Sequence, residues 1–194
     1  ARDWSREITL ALNVSPTHFA DPLLPVKLLA ILSETGFSPN RLEIEVTESA
    51  LVNDVVAARA ILVALQDIGI KISLDDFGTG YSSLYHLREL RFDKIKIDRS
   101  FMLGLDSSGR DAETVVKTII ALGRELHMHV TVEGIETAKQ AAFIDGADGD
   151  QAQGFFFGRP VPASEIAASI LAEFKRASSQ GTSSPEGEAK LRAV

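Results

Sequence analysis

The feature that most constrains this chain is a repeated ending. Five strand-like runs in succession close on a polar or charged side chain, and a helical pattern follows each of them. The runs are Ile8–Val14, Leu42–Val46, Ile70–Leu74, Phe92–Ile97 and His129–Val132, and a sixth is expected at Gly154–Phe157. Asn13 closes the first, Glu45 the second and the pair Asp75-Asp76 the third. Lys96 and Asp98 mark the fourth, Glu133 follows the fifth, and Gln153 stands at the start of the sixth. Helical patterns run over about Leu23–Glu34, Val55–Ile68, Ser82–Leu90, Ala112–Leu126, Thr137–Ile144 and Ala163–Lys175, with Gly36, Gly69 and Gly146 placed to stop three of them.

Strands alternating with helices of this length imply parallel strands joined by right-handed crossovers. Two architectures satisfy that pattern, an open doubly wound sheet and a (β/α)8 barrel. Polar groups at the C-terminal ends of nearly every strand converge on one mouth only when the sheet curls closed; along an open sheet they would be strung out at an edge. The α/β barrel is therefore the expected fold. Side-chain parity agrees. Thr9, Ala11 and Asn13 share a face, as do Glu43 with Glu45 and Lys71 with Ser73 and Asp75, each set opposed by an aliphatic set such as Ile70, Ile72 and Leu74. The polar face would point inward and the aliphatic face would lie under the helices.

Six strand–helix units are countable where such a barrel needs eight, in about 250 residues. The chain has 194 residues. The expectation is a barrel over residues 1–176 lacking roughly two N-terminal units, followed by a flexible small and polar tail over 177–194. A sheet left open in this way would expose edges and favour self-association.

Composition narrows function by exclusion. A net charge of −7, with acids spread along the chain, argues against a nucleic-acid polymer as partner. No apolar run reaches the ~18 residues that a membrane helix needs, so no direct membrane insertion is expected. With no cysteine in the chain, disulfides and thiolate metal sites are ruled out, which suits a cytoplasmic protein or the cytoplasmic part of a larger one. At Asp75-Asp76 two readings stand. Adjacent like charges at a strand end repel unless a cation neutralises them, and oxygen ligands of this kind suit Mg2+, Mn2+ or Ca2+. Alternatively, one aspartate caps the next helix and the other is solvated. Asp98 is read as a structural cap.

Taken in order, Asn13-Val-Ser15, Glu45-Val-Thr-Glu-Ser49, Asp75-Asp-Phe-Gly-Thr-Gly80, Lys94-Ile-Lys-Ile-Asp-Arg-Ser-Phe101, Val132-Glu-Gly-Ile-Glu-Thr137 and Gln153-Gly-Phe with Arg159-Pro160 form a series that resembles the EAL domain family. The resemblance covers about Ile8 to Phe174. It implies a bacterial (β/α)8 barrel that hydrolyses cyclic di-GMP to linear pGpG with two Mg2+ or Mn2+ ions and so regulates second-messenger signalling. By resemblance, Asn13, Glu45 and Asp75 are ligands of a first metal, and Asp75 bridges to a second held with Asp76. Glu133 is a second-metal ligand or general base, and Lys96 contacts the attacking water or a phosphate oxygen. Glu48 and Glu136 hold active-site loops, and Gln153 lines the site. The resemblance further implies a homodimer through the loop and helix after Asp76, Tyr81–Leu90, and linkage to an upstream sensor or GGDEF domain.

The sequence departs from the family in one place that matters. The Glu-Ala-Leu motif that names the family, whose glutamate completes the first metal site, has no counterpart here; Glu165 and Glu188 lie in the wrong region. Arg91 stands where proline is frequent, and Val132 where alanine is usual. With a ligand missing, weak or no turnover by this chain is expected, and a non-catalytic receptor for cyclic di-GMP is the alternative reading.

Overall fold

The structure is a computed structural model that describes residues 8–51, 54–79, 84–107, 110–165 and 192–193. Seven parallel strands form one sheet in the order of the chain: β1 (Leu10–Asn13), β2 (Leu42–Thr47), β3 (Lys71–Phe77), β4 (Lys94–Ile97), β5 (His129–Val132), β6 (Gln151–Ala152) and β7 (Arg192–Ala193). Each strand lies beside its neighbour in sequence with no reversal of order. Such a sheet has no topological switch point and belongs to a barrel rather than to a doubly wound fold. Among the described residues β1 and β7 are its edges, so the sheet is a curled part of a barrel.

The connections are helices: α1 (Pro16–Phe19) and α2 (Leu24–Thr35), α3 (Val55–Ile68), α4 (Leu84–Leu90), α5 (Ser100–Ser107) and α6 (Arg110–Glu125), and α7 (Ala138–Gly146). Asp54 caps α3 by accepting from Ala57 N at 2.9 Å. Gly36 and Gly69 end α2 and α3 in the left-handed region, with φ of 63° and 97°. Gly146 does not act as a stop. It is the last residue of α7, and Asp148, at φ 57°, makes the left-handed turn instead.

Parity works as expected in β2 to β5, whereas on the edge strand β1 the aliphatic Leu10 and Leu12 are exposed. Ile44, Val46, Ile72, Leu74, Ile95, Ile97, Val130 and Val132 are at most 3% exposed and form the core between sheet and helices, joined by Leu62 and Leu65 of α3 and Val116 of α6. Burial of this aliphatic layer supplies the main drive for folding. At the opposite end from the mouth, aspartates tie strand starts together: Asp93 accepts from Ile72 N and Asp150 from Val130 N, each at 2.8 Å.

Two local expectations need correction. The third strand does not stop at the aspartates. β3 runs on through Asp75 and Asp76 to Phe77, with a register shift against β4 between Leu74 and Phe77. The sixth strand is not Gly154–Phe157. β6 is Gln151–Ala152, and 154–157 is a turn closed by Phe157 N donating to Gly154 O at 3.1 Å. The three consecutive phenylalanines read as a strand, but Gly154 packs so closely on the backbone of Ile135 that the chain turns there instead. Gln153 thus follows β6 rather than opening it. Most of the 177–194 segment lies outside the described residues, and its Arg192–Ala193 pairs in parallel with β6. The expected helix at Ala163–Lys175 is described only over its first three residues.

The two glycines that end this region make opposite demands. A Cβ on Gly154 would overlap the Ile135 backbone, whereas one on Gly146 meets nothing. Gly154→Ala is expected to lower the unfolding free energy by about 1–3 kcal/mol, while Gly146→Ala gains up to about 1 kcal/mol through reduced chain entropy. Urea unfolding of the two variants measures the difference; equal, small effects would refute the close-packing account of the turn.

Candidate active site

Lys96 stands at the centre of the mouth. Its Nζ lies 2.7 Å from Glu133 Oε1, 3.0 Å from Glu45 Oε2 and 3.0 Å from Asp75 Oδ1. Three strands and a strand-end loop meet there: Glu45 on β2, Asp75 on β3, Lys96 on β4, and Glu133 directly after β5. Glu133 is held by its backbone N–H, which donates to Ile97 O at 3.0 Å. Lys96, Glu45 and Asp75 are 5%, 8% and 9% exposed. Burial alone pushes the Lys96 ammonium down, but the Glu133 hydrogen bond and the charges of Glu133, Glu45 and Asp75 outweigh it and hold the ammonium well above the usual lysine value. At Glu133 burial prevails instead. Burial raises its carboxyl above the ordinary range, with the Asp75 and Glu45 charges adding to the rise and Lys96 opposing it.

Three carboxylates against one ammonium leave two negative charges uncompensated in a partly dry site. Asp76 adds another nearby. Its backbone adopts φ 55°, in the left-handed region that aspartate tolerates better than most residues, and its N–H donates to Asp75 Oδ1 at 3.1 Å. Burial, then Asp75 and Asp98, raise its carboxyl above the normal value against the pull of Lys96. The register shift in β3 thus places two consecutive carboxylates at one strand end.

The other expected residues lie on strand ends and in the loops that follow them. Asn13, at the end of β1, is the register partner of Glu45 and is exposed. Glu48, in the 3-10 turn Glu48–Ala50 after β2, accepts from Gly78 N at 3.2 Å and so ties the loop after β2 to the loop after β3. Gly78, at φ 93°, lies against the Phe101 ring with no room for a Cβ. Glu136 and Gln153 are exposed; Gln153 is fixed through its backbone to Val132 and Ile135. Asp98 accepts from Ser100 N at 2.9 Å at the start of α5, as a structural cap should. The segment expected to mediate dimerisation falls partly outside the described residues, at 80–83.

Two groups were not singled out by sequence reasoning. Gln140, buried in α7, accepts from Glu136 N at 2.8 Å and Thr137 N at 3.0 Å, and completes a capping box with Thr137 that fixes the loop after Glu133. The Thr137-x-x-Gln140 spacing is the sequence signal for it. Glu43 and Lys94 form a second buried ion pair at 2.7 Å.

The donors at the mouth are hard oxygens, which fit Mg2+, Mn2+ or Ca2+ and not a thiophilic metal. As they stand, no three of the described acidic or imidazole side chains close into a cage for a metal ion. The Lys96 ammonium holds the convergence point.

Comparison with known proteins gives the family. The EAL domain family model matches residues 1–160. The chain belongs to the EAL domain family. MucR of Pseudomonas aeruginosa, a bifunctional diguanylate cyclase/cyclic di-GMP phosphodiesterase, is 40% identical over 168 residues, which are 87% of this chain and 24% of MucR. The solved phosphodiesterase part of MucR, in complex with cyclic di-GMP, superposes with a TM-score of 0.78 at 39% identity, covering 81% of this chain and 64% of that one. Klebsiella pneumoniae BlrP1, solved with manganese and cyclic di-GMP, gives a TM-score of 0.71 at 30% identity over 78% of this chain and 39% of that one. This EAL chain spans between 20% and 24% of the length of the curated relatives it matches. Among its described residues no helix is long and apolar enough to cross a membrane.

Removing the central ammonium would leave three partly buried carboxylates facing one another. Lys96→Met is expected to cost about 3–5 kcal/mol at pH 7. The loss should shrink as pH falls and the carboxyls, Glu133 among the first, take up protons; stability of this variant falls as pH rises because the unfolded chain ionises more readily. Urea unfolding at pH 7 and pH 5 checks this, and a loss that is pH-independent would contradict it.

Proposed function

We propose that this EAL domain is the catalytic barrel of a cyclic di-GMP phosphodiesterase that yields linear pGpG. The observation that carries the reading is the cluster of Glu45, Asp75 and Glu133 around Lys96, with Asp76 beside it, at the C-terminal mouth of a parallel barrel sheet. Barrel enzymes place their chemistry at that face. The relatives' names add the substrate: MucR and NbdA of Pseudomonas aeruginosa and PdeR of Escherichia coli are each named as cyclic di-GMP phosphodiesterases.

Asn13, Glu45 and Asp75 would hold one divalent cation, and Asp75, Asp76 and Glu133 a second, Mg2+ or Mn2+. When bound, such ions lower the pKa of a water and neutralise charge on the phosphoryl oxygens. The chain's own residues supply the rest. Lys96 brings a positive charge to the site where a phosphodiester oxygen gains negative charge. Glu133, its carboxyl raised by burial, suits the acceptance of a proton from an attacking water at Oε. Glu48 and Gln140 hold the two loops that frame the mouth. We place a homodimer contact in the Tyr81–Leu90 segment and a linked sensory or cyclase domain in the parent polypeptide, the latter on the bifunctional name of MucR.

Incubating the chain with cyclic di-GMP and Mn2+ and following pGpG by chromatography tests the reading. Weak metal-dependent product at most is expected, because the glutamate of the Glu-Ala-Leu motif has no counterpart in this sequence, and Asp75→Asn is expected to abolish what there is. Tight nucleotide binding with no product, unchanged by Mn2+, would replace the enzyme with a receptor.

A further inference from the structure

One layer below the mouth lies the second ion pair. Lys94 Nζ is 2.7 Å from Glu43 Oε2, with the two side chains 12% and 7% exposed. Glu43 precedes Glu45 by two residues on β2, and Lys94 precedes Lys96 by two on β4, so each shares the inward face of its upper counterpart. Both pairs reach from β4 to β2 across the intervening β3. Ser73 of β3 is the register partner of both Glu45 and Lys94. Its short side chain clears the crossing, and its hydroxyl, fully buried, has no hydrogen-bond partner among the described residues. Two residues along a strand span about 6.6 Å, a distance that a lysine side chain covers by swinging between rotamers.

The two layers differ in charge. The lower ion pair sets one ammonium against one carboxylate, with the exposed Lys71 of β3 as the register partner of Glu43; the upper sets one ammonium against three carboxylates. We propose that Glu43 and Lys94 are positioning residues: by neutralising each other they keep Lys96 committed to Glu45, Asp75 and Glu133, and they preserve at the mouth the negative charge that a divalent cation would meet. The inference rests on the divalent-cation reading of the mouth given above.

The pair predicts shifts of opposite sign. In Lys94→Met the stranded Glu43 draws Lys96 downward, so Mn2+ binds roughly tenfold more tightly while cyclic di-GMP turnover falls. In Glu43→Gln the freed Lys94 reaches the mouth as a competing cation, and Mn2+ binds roughly tenfold more weakly. The double variant Glu43→Gln/Lys94→Met returns towards wild-type affinity. Calorimetric titration of the full chain with Mn2+ reads all three. Merely structural damage weakens binding in both single variants and more so in the double, and that result overturns the proposal. Should Lys94→Met fail to fold, Glu43→Gln and the double variant decide: unchanged affinity in the former, or no recovery in the latter, overturns it. Absence of Mn2+ binding by the wild-type chain would sink the cation reading itself. The positioning role is then read from a metal-free crystal structure of Lys94→Met, where Lys96 paired with Glu43 supports it and Lys96 unmoved from Glu45 and Asp75 overturns it.

Discussion

One ammonium among three carboxylates governs this structure's functional end. Lys96 bonds Glu45, Asp75 and Glu133 at 2.7–3.0 Å, and each of the four belongs to a different strand or strand-end loop. No strand could shift by a residue without turning its member of the cluster to the aliphatic side. The cluster therefore specifies register as well as chemistry. A buried ion pair is weak as a source of net stability, because desolvation offsets much of the attraction. Its retention points to what it does rather than to how much it stabilises. Hydrophobic burial under the helices does the stabilising, and the polar interior exploits the rigid frame that results.

The division of labour between the two ends of the sheet follows from the same physics. At the strand starts, Asp93 and Asp150 spend their carboxylates on backbone N–H groups of neighbouring strands, which joins the frame. At the strand ends the carboxylates face one another, and a single lysine leaves them short of neutrality. Like charges gathered in one cleft mark it as a candidate functional site. The loops that frame this mouth are fixed by side chains that need no substrate: Glu48 on Gly78, and Gln140 on Glu136 and Thr137.

Much of this was legible in the sequence because strand parity is strict. The alternation in Leu42–Thr47 put Glu43 and Glu45 on one face and Ile44 and Val46 on the other, and polar strand ends in series distinguished a barrel from an open sheet. What escaped was whatever depends on pairing across strands. Glu43 and Lys94 both carried the correct parity, yet their contact over β3 follows from a register that no single strand reveals. The continuation of β3 through Asp76 was hidden because a left-handed residue inside a strand leaves no period-2 signature. The aromatic run at 155–157 misled for the opposite reason: its strand propensity is real, but Gly154 lies too close to Ile135 for the chain to continue straight. The Glu-Ala-Leu motif had no counterpart to find, so the metal reading rests on the strand-end residues that are present.

On the proposed reading, the Lys96-centred mouth seats divalent cations. Anomalous diffraction from crystals of the full chain soaked in Mn2+ tests it directly. The account predicts an anomalous peak within ligand distance of Asp75, with Glu45 or Glu133 completing the contacts and the Lys96 ammonium displaced from the centre. No peak at this mouth under saturating Mn2+, with Lys96 still bonded to all three carboxylates, would contradict it.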